Sequence, residues 1–184
     1  MEEQNIRAYE KQRTGRLILG LLCVVTLVNQ IIQFFGGTLV FPCSFYTTRF
    51  LYEWESFSNA IALVISGVLV VALFLAWTAA GNKQFAHMRV FRVPYFLYIA
   101  DSVFYFGRNI SSMTADSGKL AFVIELAFRL FCIYAMFEAD RVHNNPARYD
   151  KPTPEQLQKF NEKQTKKPAS KQTSDDDDDE GIQW

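Results

Sequence analysis

The sequence predicts an all-α fold: an integral membrane four-helix bundle with both termini on the cytoplasmic side, a short cytoplasmic helix and a disordered acidic end. Three observations predict it. Four stretches of the 184-residue chain approach or exceed the ~20 apolar residues that a helix needs to cross a bilayer. Lys and Arg gather in alternate connections. The chain beyond residue 150 is almost wholly polar. Whole-chain averages of 49% hydrophobic and 15% aromatic, with a formal net charge of +0, conceal this mosaic.

Residues 1–16 read as a cytoplasmic N-terminal arm, polar and mixed in charge. The first span covers 17–36. Its basic lead and short apolar run resemble a signal peptide, but NQIIQFFGG follows with no small-x-small cleavage site, so the span is expected to be retained. An aromatic-rich connection containing Pro42 comes next, and Tyr46, Tyr52 and Trp54 suit a membrane interface. The second span covers 55–80. Its centre, IALVISGVLVVALFLAW, has no polar face at any helical period, which argues against a water-soluble helix.

Gly81-Asn82 punctuates the end of that span. The third span covers 91–110, with Pro94 suited to its first turn. The fourth covers 119–139, and its helix is expected to continue to about His143, where Asn144-Asn145-Pro146 stops it. Residues 17–143 therefore form the transmembrane domain and 144–184 a cytoplasmic tail. Within the tail, Thr153, Pro154 and Gln156 make a capping-box pattern that predicts a short helix over 154–164. The remainder lacks the apolar content to fold, and its acidic block, Asp175–Glu180, reads as a solvated tail or a docking strip for a basic partner.

Orientation follows from the positive charges. Arg7, Lys11, Arg13 and Arg16 precede the first span, Lys83, Arg89 and Arg92 lie between the second and third, and Arg141, Arg148 and Lys151 follow the fourth. The other two connections hold only Arg49 and Lys119. Both ends and the middle connection thus face the cytoplasm.

The third and fourth spans carry charges in their interiors. A charge at mid-bilayer costs about 2.5–3.5 kcal/mol on insertion scales, so such groups normally face protein and find partners. Tyr98, Asp101, Tyr105 and Arg108 share one helical stripe, and Phe122, Glu125, Arg129 and Cys132 share another. Counting inward from the short connection between these spans, Asp101 and Arg129 reach the same depth, so they are expected to pair. Glu125 is left with Arg129, Arg108 or Tyr105 as partners. Asn29, Gln30 and Gln33 on the first span, with Thr26, and Asn59 and Ser66 on the second, with Glu55, extend this polar seam. The cytoplasmic half is expected to stay apolar, with Cys23, Val71, Leu75 and Cys132 inside.

Cys43, in the outer connection, reads as a free thiol or as half of an intermolecular disulfide. His87 and His143 lie outside the spans, which argues against a transmembrane haem, and with Asp140 they match no standard zinc spacing. GxSxG, HExxH, P-loop and GxGxxG motifs are absent, and the basic residues hug the membrane with no nucleic-acid fold around them. The expectation is a small multi-pass protein without cofactor or metal, embedded in the lipid bilayer, with the plasma membrane favoured. It would act as a subunit or scaffold that assembles with itself or with other membrane proteins through the polar seam. The alternatives are a transporter or channel component with a polar cavity around Asp101 and Arg129, and an intramembrane enzyme.

Overall fold

The computed structural model describes residues 2–37, 43–54, 58–110 and 119–165. All regular structure among them is helical: α1 (Glu2–Phe34), α2 (Tyr46–Glu53), α3 (Asn59–Ala80), α4 (Arg92–Asn109), α5 (Lys119–Arg141) and α6 (Pro154–Thr165), with short 3₁₀ turns at Lys83–Phe85 and Pro146–Tyr149. Three of these, α1, α3 and α5, are long and apolar enough to cross a membrane, which marks a helical membrane protein. The fourth stretch predicted from sequence forms α4, which carries Arg92, Asp101 and Arg108 and does not join those three by length and composition.

The chain divides into two units, Met1–Lys151 and Pro152–Trp184. In the second, Thr153 Oγ1 accepts from the Gln156 amide at 3.4 Å while Gln156 Oε1 accepts from the Thr153 amide at 2.9 Å, a reciprocal cap that starts α6. The acidic block Asp175–Glu180 lies outside the described residues, as do Pro42 and Glu55.

In the first unit α1 packs between α3 and α5, α4 lies against α5, and α2 touches α1, α3 and α4. Direction follows from paired contacts. Gln12 donates to the Ala80 carbonyl at 2.7 Å and Gln30 to the Leu63 carbonyl at 3.0 Å, so α3 runs antiparallel to α1. Lys11 pairs with Glu138 at one end, and Arg129 meets Asp101 well away from it. We call the end near Gln12 and Ala80 proximal, and the end near Phe34 and α2 distal.

The polar arm up to residue 16 and the apolar stretch after it lie on one unbroken helix, α1, of 33 residues beginning at Glu2. The reason is visible in its buried face. Ala8, Gln12, Gly15, Leu19, Leu22, Thr26 and Asn29 recur every three or four residues, so one stripe runs from the arm into the apolar part. Only the outward face changes composition. Gly15 lets α5 and the Phe91 ring, which precedes α4, approach, because a Cβ there would run into Ala139 and crowd that ring. The far end of α1 closes with Gly36 at φ +75°. Its amide bonds Gln33 O at 3.0 Å and the Gly37 amide bonds Ile32 O at 2.8 Å, the paired C-terminal bonds that a left-handed glycine allows.

The inward face of α3 is Ala62, Ser66, Leu73 and Ala80, with Leu69 and Ala76 beside them. Val71 and Leu75, expected inside, are 57% and 60% exposed. A helix apolar all round gives no clue to its inner face from hydropathy. The small residues Ala62 and Ser66 do, and continuing their stripe leads to 69, 73, 76 and 80. Proximally, Leu19, Leu22, Leu73, Met136 and Ala139 form a dry core.

Candidate functional site

The connection after the first span was expected to be an aromatic surface loop. Instead Cys43–Phe45 and α2 fold into the distal end and deliver backbone groups to the charged residues of α4 and α5. Asp101 collects four donors. Oδ2 takes the Tyr46 amide at 2.9 Å and Arg129 Nη1 at 2.8 Å, while Oδ1 takes the Thr47 amide at 2.7 Å and the Thr47 hydroxyl at 2.6 Å. The carboxylate therefore sits at the start of α2, where the first amides of a helix have no partner within it.

Arg129 is 2% exposed and every nitrogen of its guanidinium is engaged. Nε donates to Glu125 Oε1 at 2.9 Å, Nη1 to Asp101 and to the Ser102 hydroxyl at 3.3 Å, and Nη2 to the Ser44 carbonyl at 2.8 Å. The Tyr105 ring centroid lies 4.5 Å from the guanidinium carbon and that of Tyr98 5.4 Å, so aromatic faces cover the cation. Glu125 in turn accepts the Cys43 amide at 2.9 and 3.1 Å through its two oxygens. Tyr98 donates its hydroxyl to the Cys43 carbonyl at 2.8 Å. Cys43 holds φ at +66°, a left-handed conformation that costs an L residue roughly 1–2 kcal/mol. The bonds to its amide and carbonyl hold it there.

The structure thus brings Asp101, Arg129, Glu125, Tyr98 and Tyr105 into one cluster. Asn29 stands beside it, 1% exposed, with Nδ2 at 2.5 Å from the Ser44 hydroxyl. The remaining residues of the predicted seam are elsewhere. Gln30 ties α1 to α3 through Leu63. Gln33 is part-buried on the next turn, and its buried Oε1 has no partner among the described residues. Asn59 is exposed at the first position of α3. Arg108 does not reach Glu125; it is exposed and lies over the Phe50 ring of α2 at 5.4 Å. The aromatic ring of α2 was there to meet it, because α2 occupies the space that a loop would have left open.

Ser44, Tyr46 and Thr47 are the participants that stripe counting could not supply, since their contribution is largely backbone. One signal was available. Ser44 and Thr47 are small polar residues flanking aromatics immediately after Pro42-Cys43, a composition suited to a helix start. Cys43 is 7% exposed and Cys23 and Cys132 are buried, so all three are free thiols shielded by protein. For Cys43 this matches the free-thiol reading.

A second polar assembly occupies the proximal end. Glu138 pairs with Lys11 and, at 2.9 Å, with Arg141. Asp140 faces Arg89 at 3.5 Å and Arg92 at 3.9 Å. Arg148, 4% exposed, binds the Ala86 carbonyl at 2.6 Å and His143 Nδ1 at 3.0 Å. Burial first, then the positive charges of Arg148 and Arg89, push the His143 imidazole below its ordinary value. Among the described residues no three His, Cys, Asp or Glu side chains converge in a metal-binding group. Comparison with protein families, curated proteins and solved structures returned no match for this chain.

Proposed function

We propose that this protein is a four-span membrane protein, with both termini in the cytoplasm, that serves as a non-enzymatic subunit or scaffold for other membrane proteins or for further copies of itself. In this reading α4 is the fourth span, carried across the bilayer because its charge is neutralised by α5 and α2. The plasma membrane is the favoured location, and the acidic block would be offered to a basic partner in the cytoplasm.

One observation carries the reading: the ionic cluster is saturated by the chain itself. Both oxygens of Asp101 and of Glu125, and all three nitrogens of Arg129, face protein partners. A solute entering there would have to displace the backbone of Cys43–Thr47. The cluster therefore acts as a clamp that fixes α2 and the segment before it against α4 and α5. Contacts with partners then fall to the outward surface, where Val64, Val68, Val71 and Leu75 of α3 and Leu130, Phe131 and Tyr134 of α5 are exposed. Lipid tails are as apolar as these side chains, so association there depends on fit rather than on escape from water.

Copurification tests this. Extraction in mild detergent should recover the full chain with a stoichiometric membrane partner or as a defined oligomer. Recovery of nothing but monomer, together with solute uptake by liposomes containing the protein alone, would refute it.

A further inference from the structure

Most of the positive charge at the proximal end is matched. Arg7 pairs with Glu3, Lys11 and Arg141 with Glu138, Lys83 with Asp150, and Arg89 and Arg92 with Asp140. Arg13 and Arg16 of α1 are exposed and have no acidic partner among the described residues. Arg16 is nevertheless held in place. A Cβ at Gly81 would fall 2.4 Å from its guanidinium carbon and 2.7 Å from two of its nitrogens, so the guanidinium lies across the end of α3. That carbon is also 5.9 Å from the Trp77 ring centroid. Trp77 is seated against α1, because its indole nitrogen lies 3.0 Å from where a Cβ of Gly20 would stand.

The same side of both helices turns apolar beyond this corner. Arg13, Arg16, Gly20, Val24 and Leu27 recur every three or four residues on α1, and Phe74, Trp77 and Gly81 do so along α3. Val24, Leu27 and Phe74 are exposed, and the Phe74 ring lies 5.9 Å from that of Trp77. Leu27 stands about 16 Å along α1 from Arg16, close to half of the ~30 Å of hydrocarbon in a bilayer. Two unmatched cations, an indole and an apolar strip one leaflet long thus follow one another. A phospholipid presents its headgroup, interface and acyl chains in the same order.

We propose that the outer crease between α1 and α3 binds one anionic phospholipid, with its phosphate on Arg13 and Arg16 and an acyl chain laid along Gly20, Trp77, Phe74 and Val24. The planar guanidinium fork meets phosphate oxygens in pairs. Tryptophan rings settle at headgroup level. The four-span reading assigns this lipid to the cytoplasmic leaflet, which is rich in anionic headgroups. The site is independent of the scaffold reading, because its test involves no protein partner.

The test titrates the full chain, purified in mild detergent, with dioleoyl phosphatidylserine or dioleoyl phosphatidylcholine and reads binding by native mass spectrometry. One phosphatidylserine per chain is expected to bind at least about tenfold more tightly than phosphatidylcholine, and Arg13→Gln/Arg16→Gln should abolish that preference. Arg7→Gln/Lys151→Gln removes the same charge and should retain it. Equal binding of the two lipids, equal losses in the two double variants, or displacement of phosphatidylserine by inorganic phosphate at matched concentration overturns the proposal. A second readout leaves the arginines intact. Phosphatidylserine brominated in its acyl chains should quench more tryptophan fluorescence than brominated phosphatidylcholine, and the excess should vanish in Trp77→Phe. An excess that survives this substitution places the lipid elsewhere and overturns the proposal as well.

Discussion

The distal ionic cluster and the apolar core on its proximal side are equally buried and held by opposite means. Distally, Asp101 and Arg129 are 3% and 2% exposed and are locked by directional bonds to α2 and its leading segment. Proximally, Leu22 and Met136 are fully buried within a hydrophobic core. The difference lies in what each half can specify. Apolar packing fills space and tolerates changes of register that preserve volume. A buried charge tolerates none, because each displaced bond leaves an ionic group unpaired. The distal cluster therefore sets which residues meet, the apolar core beside it supplies density, and the bonds of Gln12, Glu138 and Arg148 add a smaller set of directional contacts at the proximal end.

The comparison breaks most sharply at Arg129. Arg129→Leu is expected to cost about 3–5 kcal/mol, because it strands two carboxylates in the interior. Unfolding in detergent, followed by circular dichroism, measures it. The double variant Asp101→Leu/Arg129→Leu should recover only a fraction, since Glu125 and the Tyr46 and Thr47 amides remain without their partners. Full recovery would reduce the cluster to a simple pair. Met136→Ala, in the apolar half, should cost about 2 kcal/mol, near the low end of core truncations, because the lost transfer term is small where lipid replaces water. A loss equal to that of Arg129→Leu would erase the distinction between the halves. Tyr98→Phe keeps the ring over Arg129 but removes the bond to the Cys43 carbonyl, and should cost about 1 kcal/mol in the same assay.

The smallest expected effects lie outside both halves. Val68→Leu, on the exposed face of α3, should stay within about ±0.5 kcal/mol in melting experiments. His143 should add a pH dependence. Its folded value is depressed, so both states are neutral above the unfolded value near 6.5 and stability there is unaffected. As pH falls below it, the unfolded chain takes up the proton first and stability declines. Melting curves across this range should flatten in His143→Asn, and an unchanged slope would assign the dependence to another group.

Much of this was legible in the sequence. The apolar stretches of α1, α3 and α5 declare themselves by length and composition, and stripes on α4 and α5 gather Tyr98, Asp101, Tyr105, Glu125 and Arg129. What stayed hidden was of two kinds. Backbone donors carry no side-chain signature, so the amides of Cys43, Tyr46 and Thr47 could not be counted as partners, and Arg108 was offered to Glu125 in their place. Uniform hydrophobicity hides direction, so Val71 and Leu75 of α3 were turned inward when Leu73 belongs there. That the polar arm and the apolar stretch share one helix was hidden too, because the Ala8–Gln12–Gly15 line that continues into Leu19 and Leu22 is masked by the change of composition on the outward face.

The unbroken α1 has a mechanical consequence. At 1.5 Å per residue, its 33 residues make a rod about 50 Å long, well beyond the ~30 Å of hydrocarbon in a bilayer. It contains no proline at which to flex. A rod of that length and stiffness ties the Lys11–Glu138 pair near one of its ends and the Asn29–Ser44 bond near the other into one rigid spine.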